Sequence, residues 1–408
     1  MKKILAFVLS IAVVFGMVTT ISACTSETPI VGLICLHDES STYDKNFIDA
    51  FEAACKAKGL KKGQWIIKTD VPEKGSACKD TAEQFVKLGC KAIFADSFGH
   101  EDNMLEVAKK YPEVQFCHAT GVKAHTENLP NFHNAFASIY EGRYLAGVAA
   151  GLKLQEMIAA NKITDAMKEG ENIKIGYVGA YPYAEVKSGY TSWFLGVRSI
   201  VPNVVMKVKF TNEWYEPKKE KDTADYLISE QHCAIISQHA DSMGAPNACE
   251  AAEVPNVSYN GSTAASCPKT FIVSSRINWQ PYFELMIDAV TGGKALPTDW
   301  TGDISTGSVV LTELGAAAAA NTQAKIDEVK AKLLNGSLKV FDLSTFTVNG
   351  AALVDNFMAN VNDDAAFTPD TVVIKTTESG IKYFAESEFR SAPYFEVDID
   401  GITIIANN

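Results

Sequence analysis

Residues 173–210 read IKIGYVGAYPYAEVKSGYTSWFLGVRSIVPNVVMKVKF, and this stretch decides the fold. Ile173–Val178 and Val204–Phe210 are short runs dominated by Val, Ile and other apolar residues, as strands covered on both faces require. Between them, Glu185–Ile200 has the length and pattern of a helix. A strand, a helix and a second strand of this kind form a βαβ unit with parallel strands. The rhythm continues outward on both sides. Further strand-like runs are Ile30–Leu36, Gln64–Lys68, Ala92–Ala95, Val114–His118, Ala234–Ser237 and Thr270–Ser274, with helical stretches between them. There are too many strands for one doubly wound sheet of ordinary size. The expected fold class is therefore α/β with two doubly wound lobes.

The long helix Ile139–Ile158 is assigned to the second lobe, and Lys168–Asn172 separates it from the next strand. The rhythm breaks after Leu311, where Ala316–Ala320 and a helix at Gln323–Leu334 follow. Short β-branched and aromatic pieces (Phe346–Val348, Thr371–Ile374, Tyr394–Ile399, Ile402–Ile404) predict a small antiparallel, β-rich appendage at the C-terminus. The expected division is lobe 1 over 29–138 plus 275–300, lobe 2 over 139–274 plus 301–345, and an extension over 346–408. No internal repeat is present.

The chain has 408 residues, 47% hydrophobic and 21% charged, which suits a globular protein with real cores. Its net charge of −12 disfavours nucleic acid and anionic membrane surfaces as partners. At the N-terminus, Lys2 and Lys3 precede an apolar run from Ile4 to Ile21, which ends at Ile21-Ser22-Ala23-Cys24. This resembles a bacterial lipoprotein signal: 1–23 would be removed, Cys24 lipidated (a palmitate-type anchor) and 24–28 left as a tether. The expected location is the extracytoplasmic face of the cell membrane. Of the eight remaining cysteines, Cys35 and Cys117 sit in strand-like runs and are expected buried and unpaired. The sequence leaves bridges among Cys55, Cys78 and Cys90, and between Cys249 and Cys267, open.

Catalytic signatures are absent: there is no GxSxG, HExxH, GxxxxGK[ST] or GxGxxG. No pair of the seven histidines has metal-ligand spacing beside a third ligand, and His118 and His239 stand out only because they adjoin strand ends. No cofactor and no metal are expected. The chemistry lies at the C-terminal ends of the predicted strands, where open α/β sheets bind ligands. Tyr43, Asp44, Asn46 and Phe47 follow the first strand, and Ser97 and Phe98 follow Ala92–Ala95. In the second half, Tyr181, Trp214, Gln238 with Asp241, and Trp279 occupy equivalent loops. Aromatic rings beside acids and amides suit a flat, heteroatom-rich ligand held by stacking and hydrogen bonds.

Six stretches carry a family resemblance: Ala95–Gly99 (ADSFG), Val107–Gly121 (VAKKYPEVQFCHATG), Tyr140–Gly151 (YEGRYLAGVAAG), Trp214–Pro217 (WYEP), Gln238–Ser242 (QHADS) and Asn278–Tyr282 (NWQPY). Together, across roughly 30–315, they resemble the basic membrane protein (BMP) family of substrate-binding lipoproteins, purine receptors for ABC importers. The resemblance implies a type I periplasmic-binding-protein fold, with two Rossmann-like lobes joined by three crossovers and the ligand in the cleft. It also implies a permease as partner and a monomer as working form. Where the family has a glycine-rich turn, this chain has Tyr43-Asp44-Lys45-Asn46-Phe47, and Ile48 replaces the asparagine of the nucleoside branch. The implied solute is a purine nucleobase rather than a nucleoside. Phe98, Trp214 and Trp279 would wall the ring, while Tyr43, Asn46, Ser97, Gln238 and Asp241 would read its polar edge. The alternatives are an extracytoplasmic nucleoside-processing enzyme using Asp44 and Asp241, and a surface interaction protein using its tail.

Overall fold

The computed structural model describes residues 28–359 and 370–406. The signal segment, Cys24 and all of the tether but Thr28 lie outside the described residues.

The first half runs β1 (Val31–Ile34), α1 (Thr42–Ala57), β2 (Trp65–Lys68), α2 (Ala77–Leu88), β3 (Ala92–Ala95), α3 (Glu101–Lys110), β4 (Gln115–Ala119), α4 (Ala124–Glu127) and β5 (Phe132–Ala137). The chain continues through α5 (Ile139–Ala159), β6 (Lys168–Glu169), β7 (Asn172–Gly179), α6 (Ala184–Arg198), β8 (Val204–Phe210), α7 (Pro217–Ser229), β9 (Ile236–Gln238), α8 (Gly244–Ala252), β10 (Asn256–Tyr259) and β11 (Phe271–Ile277). Then come α9 (Gln280–Gly292), β12 (Asp299–Gly302), β13 (Val309–Leu311) and α10 (Thr322–Leu334). The tail adds β14 (Met358–Ala359), β15 (Thr371–Val372), β16 (Ile374–Thr376), β17 (Lys382–Phe384) and β18 (Ile402–Ile405).

Two sheets result. The first has the order β12-β5-β4-β3-β1-β2 and is parallel throughout. The second has the order β13-β11-β10-β9-β7-β8-β18, with β6 beside β7; only β13 and β6 run antiparallel. The chain passes between the lobes three times, at β5 to α5, β11 to α9 and β12 to β13. Local chemistry explains the elements. Every residue of β1 is buried, and Gly32 is required there because a Cβ would stand 2.4 Å from the Phe85 ring. Ser41 caps α1 by accepting from Asp44 N, and Glu216 caps α7 by accepting from Lys219 N, with Pro217 in the first turn.

Several details differ from the sequence expectation. Ser275–Ile277 were expected in the first lobe but pair with β13 in the second sheet, so that crossing falls after Ile277. Asp299–Gly302 form one strand beside β5, where a boundary at 300 would have split them. The short strands β5, β10, β12 and β13 were not foreseen. The tail is antiparallel in its hairpins β14–β15 and β16–β17, but β18 extends the second sheet in parallel beside β8. Tyr394–Ile399 form no strand; they are a largely buried segment without regular secondary structure, with Phe395 stacked on Phe341 at 4.1 Å. All eight cysteines within the described residues are buried free thiols, so the bridges left open by the sequence do not form.

Candidate functional site

The C-terminal ends of both sheets face each other across a cleft that encloses a cavity of about 480 Å³, within the usual range for small-molecule sites. Lobe 1 contributes His37, Tyr43 and Asp44 after β1, Ser97 and Phe98 after β3, and Thr120 and Val122 after β4. Lobe 2 contributes Tyr183 and Glu185 after β7, Trp214 after β8, His239 and Asp241 after β9, and Tyr259 at the end of β10. The lobes touch around it. Thr42 donates through its backbone N (3.1 Å) and Oγ1 (3.0 Å) to the Asp241 carbonyl. Tyr215 donates to Ser40 Oγ at 3.3 Å, and Phe98 faces Tyr183 with ring centres 5.6 Å apart.

Of the residues singled out in the sequence, Tyr43, Asp44, Ser97, Phe98, Trp214 and Asp241 line this cavity. Tyr181 stands one layer back, stacked on Tyr183 (5.2 Å, 14°) and edge-on to Trp214. The other four do not line it. Phe47 and Trp279 are core residues, stacked on each other at 4.4 Å and packed against Phe94. Asn46 donates to the Ile277 carbonyl at 2.6 Å and so fastens the second crossing. Gln238 donates to the Ala240 and Ser242 carbonyls and shapes its own turn. A strand end places a side chain near the cleft but does not say which way it points.

Beneath the cavity lies a relay that the sequence did not disclose. Arg143 on α5 is buried; its Nη1 donates to the Gln238 carbonyl at 2.8 Å and its Nη2 to His239 Nδ1 at 3.1 Å. Its guanidinium lies 3.3 Å above the Tyr259 ring, a cation–π contact. His239 Nε2 then donates to Glu185 Oε2 at 2.7 Å. Burial lowers the His239 pKa, so the ring is neutral and orients Glu185 rather than shuttling protons. YEGRYLAG was quoted only as a family stretch, and a lone Arg on an apolar helix gave no hint of its partners.

The acids differ in state. Burial pushes the Asp241 carboxyl well above its ordinary range, and the nearby Glu220, Asp44 and Glu185 add to this. Burial acts the same way on Asp44, but the His37 ring (Nδ1 at 3.4 Å) and hydrogen bonds from His37 N (2.8 Å) and Ser41 Oγ (2.6 Å) prevail and hold it below the usual value. Ser97 donates to Glu73 Oε1 at 2.6 Å, which leaves its oxygen as an acceptor toward the cavity. Cys35, Asp44 and Asp96 bring ligand atoms within 4.8 Å of one another. Burial raises both the Cys35 thiol and the Asp96 carboxyl, while Asp44 is held below its usual value.

The tail supplies one wall. Arg390, Ala392, Pro393 and Glu396 line the cavity, although 346–408 was expected to be an appendage apart from it. Its anchoring includes Glu386, a buried acid that accepts from Ser188 Oγ. Burial pushes Glu386 up to about 8 from 4.5. A raised acid favours folding fully below its unfolded value, and that contribution is lost as pH climbs toward 8. Glu386→Gln should therefore raise the melting temperature at pH 8.5 and change it little at pH 5. Equal shifts at both values would show that Glu386 is not held protonated.

Two parallel-sheet lobes, three crossings and a ligand-sized interlobe cavity define the type I periplasmic-binding-protein fold. The chain belongs to the Bmp family, the PnrA-like ABC transporter substrate-binding proteins, whose model matches residues 33–344. A Haloferax volcanii protein carrying the name of an ABC transporter glucose-binding protein, TsgA13, is 30% identical over 65% of this chain and 62% of its own length. A purine-binding protein of Brucella abortus is 33% identical over 54% of this chain and 57% of its own. The chain thus spans about six-tenths of the curated relatives it matches. Among solved structures, an ABC transporter solute-binding protein of Aeropyrum pernix shares the fold with TM-score 0.63 and 16% identity, over 77% of this chain and 93% of the other. The solved structures that share the fold also include a transcriptional activator of the comK gene from Bacillus halodurans, with TM-score 0.60 and 16% identity over 76% of this chain and 99% of the other, so the likeness to solved structures carries the fold alone. No helix of the described residues is long and apolar enough to cross a membrane.

Proposed function

We propose that the chain captures a purine, as the free base rather than the nucleoside, in the interlobe cleft and hands it to the permease of an ABC importer. In this reading it is tethered through lipidated Cys24 on the extracytoplasmic face and acts as a monomer. The observation that carries the proposal is the cavity itself: rings of Tyr43, Phe98, Tyr183, Trp214 and Tyr259 surround a buried acid, Asp241. Flat rings give a base its stacking surface, worth about 1–3 kcal/mol per base, and an acid accepts its N–H groups. Four acids (Asp44, Glu185, Asp241, Glu396) face the cavity against Arg390 and Lys187, a balance that opposes a phosphorylated solute. The Brucella relative's name supports a purine. The absent glycine turn, and Ile48 where the nucleoside branch has asparagine, support a base without ribose.

The test is a melting series on the mature chain with Cys24 replaced by serine, stripped of solute by unfolding and refolding. At a thousand times its Kd, a true solute stabilises by about 4 kcal/mol, several degrees for a protein of this size. Shifts with adenine, guanine, hypoxanthine or xanthine, and none with nucleosides, ribose or glucose, are expected. A shift with nucleosides alone would keep the purine and remove the preference for the base. A shift with glucose alone would replace the purine with a sugar, in line with the Haloferax relative's name.

A further inference from the structure

We propose that Arg390, carried into the cleft by the C-terminal segment, is a solute-recognition residue, and that it reads the carbonyl-bearing edge of a 6-oxopurine. The proposal rests on the purine reading above and deepens it. Arg390 lies beyond the family match, which ends at residue 344. It is 4% exposed and lines the cavity. Two of its nitrogens are committed: Nε donates to the Ala392 carbonyl at 3.0 Å and Nη2 to the Pro393 carbonyl at 3.2 Å. Tyr394 supports the guanidinium from one face at 4.2 Å. Nη1 is buried without any partner, and Asp299, Glu101 and Glu386 act on the group only through space. A buried cationic donor left unpaired is costly, and an acceptor on the bound solute would satisfy it.

The segment that carries Arg390 is fixed to both lobes. Ser391 N donates to Asp299 Oδ1 at 2.6 Å on the first lobe. On the second lobe, Asp398 accepts from Lys187 at 2.9 Å and from Tyr190 at 3.0 Å, and Lys187 also donates to the Glu396 carbonyl. Ser387 Oγ meets Ser138 Oγ at 3.0 Å beside the first crossing. The guanidinium is thus held by its own backbone at a set place in the cleft, with little freedom left to lose on binding. Arginine is suited to a purine that presents a carbonyl oxygen beside a ring nitrogen, the pair it reads on guanine in DNA. An aminopurine such as adenine offers a donor in place of that carbonyl oxygen and keeps only the ring nitrogen as an acceptor. Asp241 and Arg390 both line the cavity, the first offering an acceptor and the second a donor.

The experiment is calorimetric titration of the mature protein, Arg390→Ala and Arg390→Met with hypoxanthine, adenine and glucose. Met keeps the stem that packs on Tyr394, and melting temperatures of the stripped proteins check that each variant folds. Expected are a wild-type preference for hypoxanthine over adenine of at least tenfold, and a loss of at least tenfold in hypoxanthine affinity in both variants. Adenine affinity should stay within threefold. Unchanged hypoxanthine affinity in a folded variant, or no wild-type preference, overturns the proposal. Wild-type binding of glucose and of no purine overturns the oxopurine assignment together with the purine reading. In that case, glucose affinity weakened by Arg390→Ala keeps Arg390 as a recognition residue, and unchanged glucose affinity removes it.

Discussion

Asp241→Ala is expected to lower affinity for the purine at least a hundredfold while leaving the closed arrangement of the lobes in place. The backbone of residue 241 does the structural work there. Its N–H donates to the Trp214 carbonyl at 3.0 Å, and its own carbonyl accepts from Thr42 across the cleft. Alanine keeps all of these bonds. Among the described residues, the carboxyl, in contrast, is engaged only by a long contact from Asn260 Nδ2 at 3.4 Å, so its capacity to accept is directed at the solute. Its raised pKa means that the empty site makes it take up a proton more readily than an ordinary aspartate. A ligand that donates N–H groups favours the ionised form, so binding releases a proton and weakens as pH falls. A site built around a buried acceptor discriminates by orders of magnitude when the partner is missing. Trp214→Ala removes stacking alone, about 1–3 kcal/mol, and should cost roughly ten- to a hundredfold. Calorimetry on the two variants tests the site. An Asp241→Ala Kd within threefold of wild type would remove Asp241 from it.

How far this site was legible follows from what each residue's neighbours say about it. Tyr43, Ser97, Phe98, Trp214 and Asp241 sit in loops that leave buried parallel strands, and topology alone carries such loops to the cleft. Phe47 lies in the same motif, but one helical turn into α1 it turns inward onto Phe94 and Trp279. Helical position, which decided this, was outweighed in the sequence reading by closeness to a strand end. Trp279 shows the converse: it begins a loop, yet is 1% exposed because the crossing brings α9 down on α1. Tyr183, Glu185 and Tyr259 were within reach of the same strand-end logic. Arg390 was not. The tail's place depends on β18 pairing with Met206–Lys209, almost two hundred residues away, and no local periodicity encodes a partner so distant. The alternation of strands and helices was plain because it is local, and the use of the tail was hidden because it is not.

Gly196→Val is expected to destabilise the protein by several kcal/mol and to abolish binding with it. α5 and α6 cross so closely that their backbones touch at two glycines. A Cβ on Gly196 would stand 2.2 Å from the Tyr144 carbonyl and 2.9 Å from Gly147 Cα. A Cβ on Gly147 would stand 2.2 Å from the Trp193 carbonyl. Glycine inside a helix costs about 1 kcal/mol relative to alanine, and here the cost is offset by helix packing that no larger residue permits. The obstructing atoms are backbone, so relief requires the helices to part. Overpacking of this kind costs about 1–3 kcal/mol and sometimes more, and each kcal/mol moves the melting temperature by about 2–4 °C at this size. The same helices hold the site: α5 carries Arg143 and α6 carries Glu185, the two ends of the relay through His239. Separating them by even an ångström breaks both hydrogen bonds beneath the cavity. The milder Gly196→Ala should therefore weaken solute binding as well as lower the melting temperature. Gly292→Ala supplies the contrast, because its Cβ would meet open space on α9 and should leave the melt unchanged or raised. If Gly196→Ala melts within 2 °C of wild type, the helices have room to part, and the glycines of YEGRYLAG serve something other than this contact.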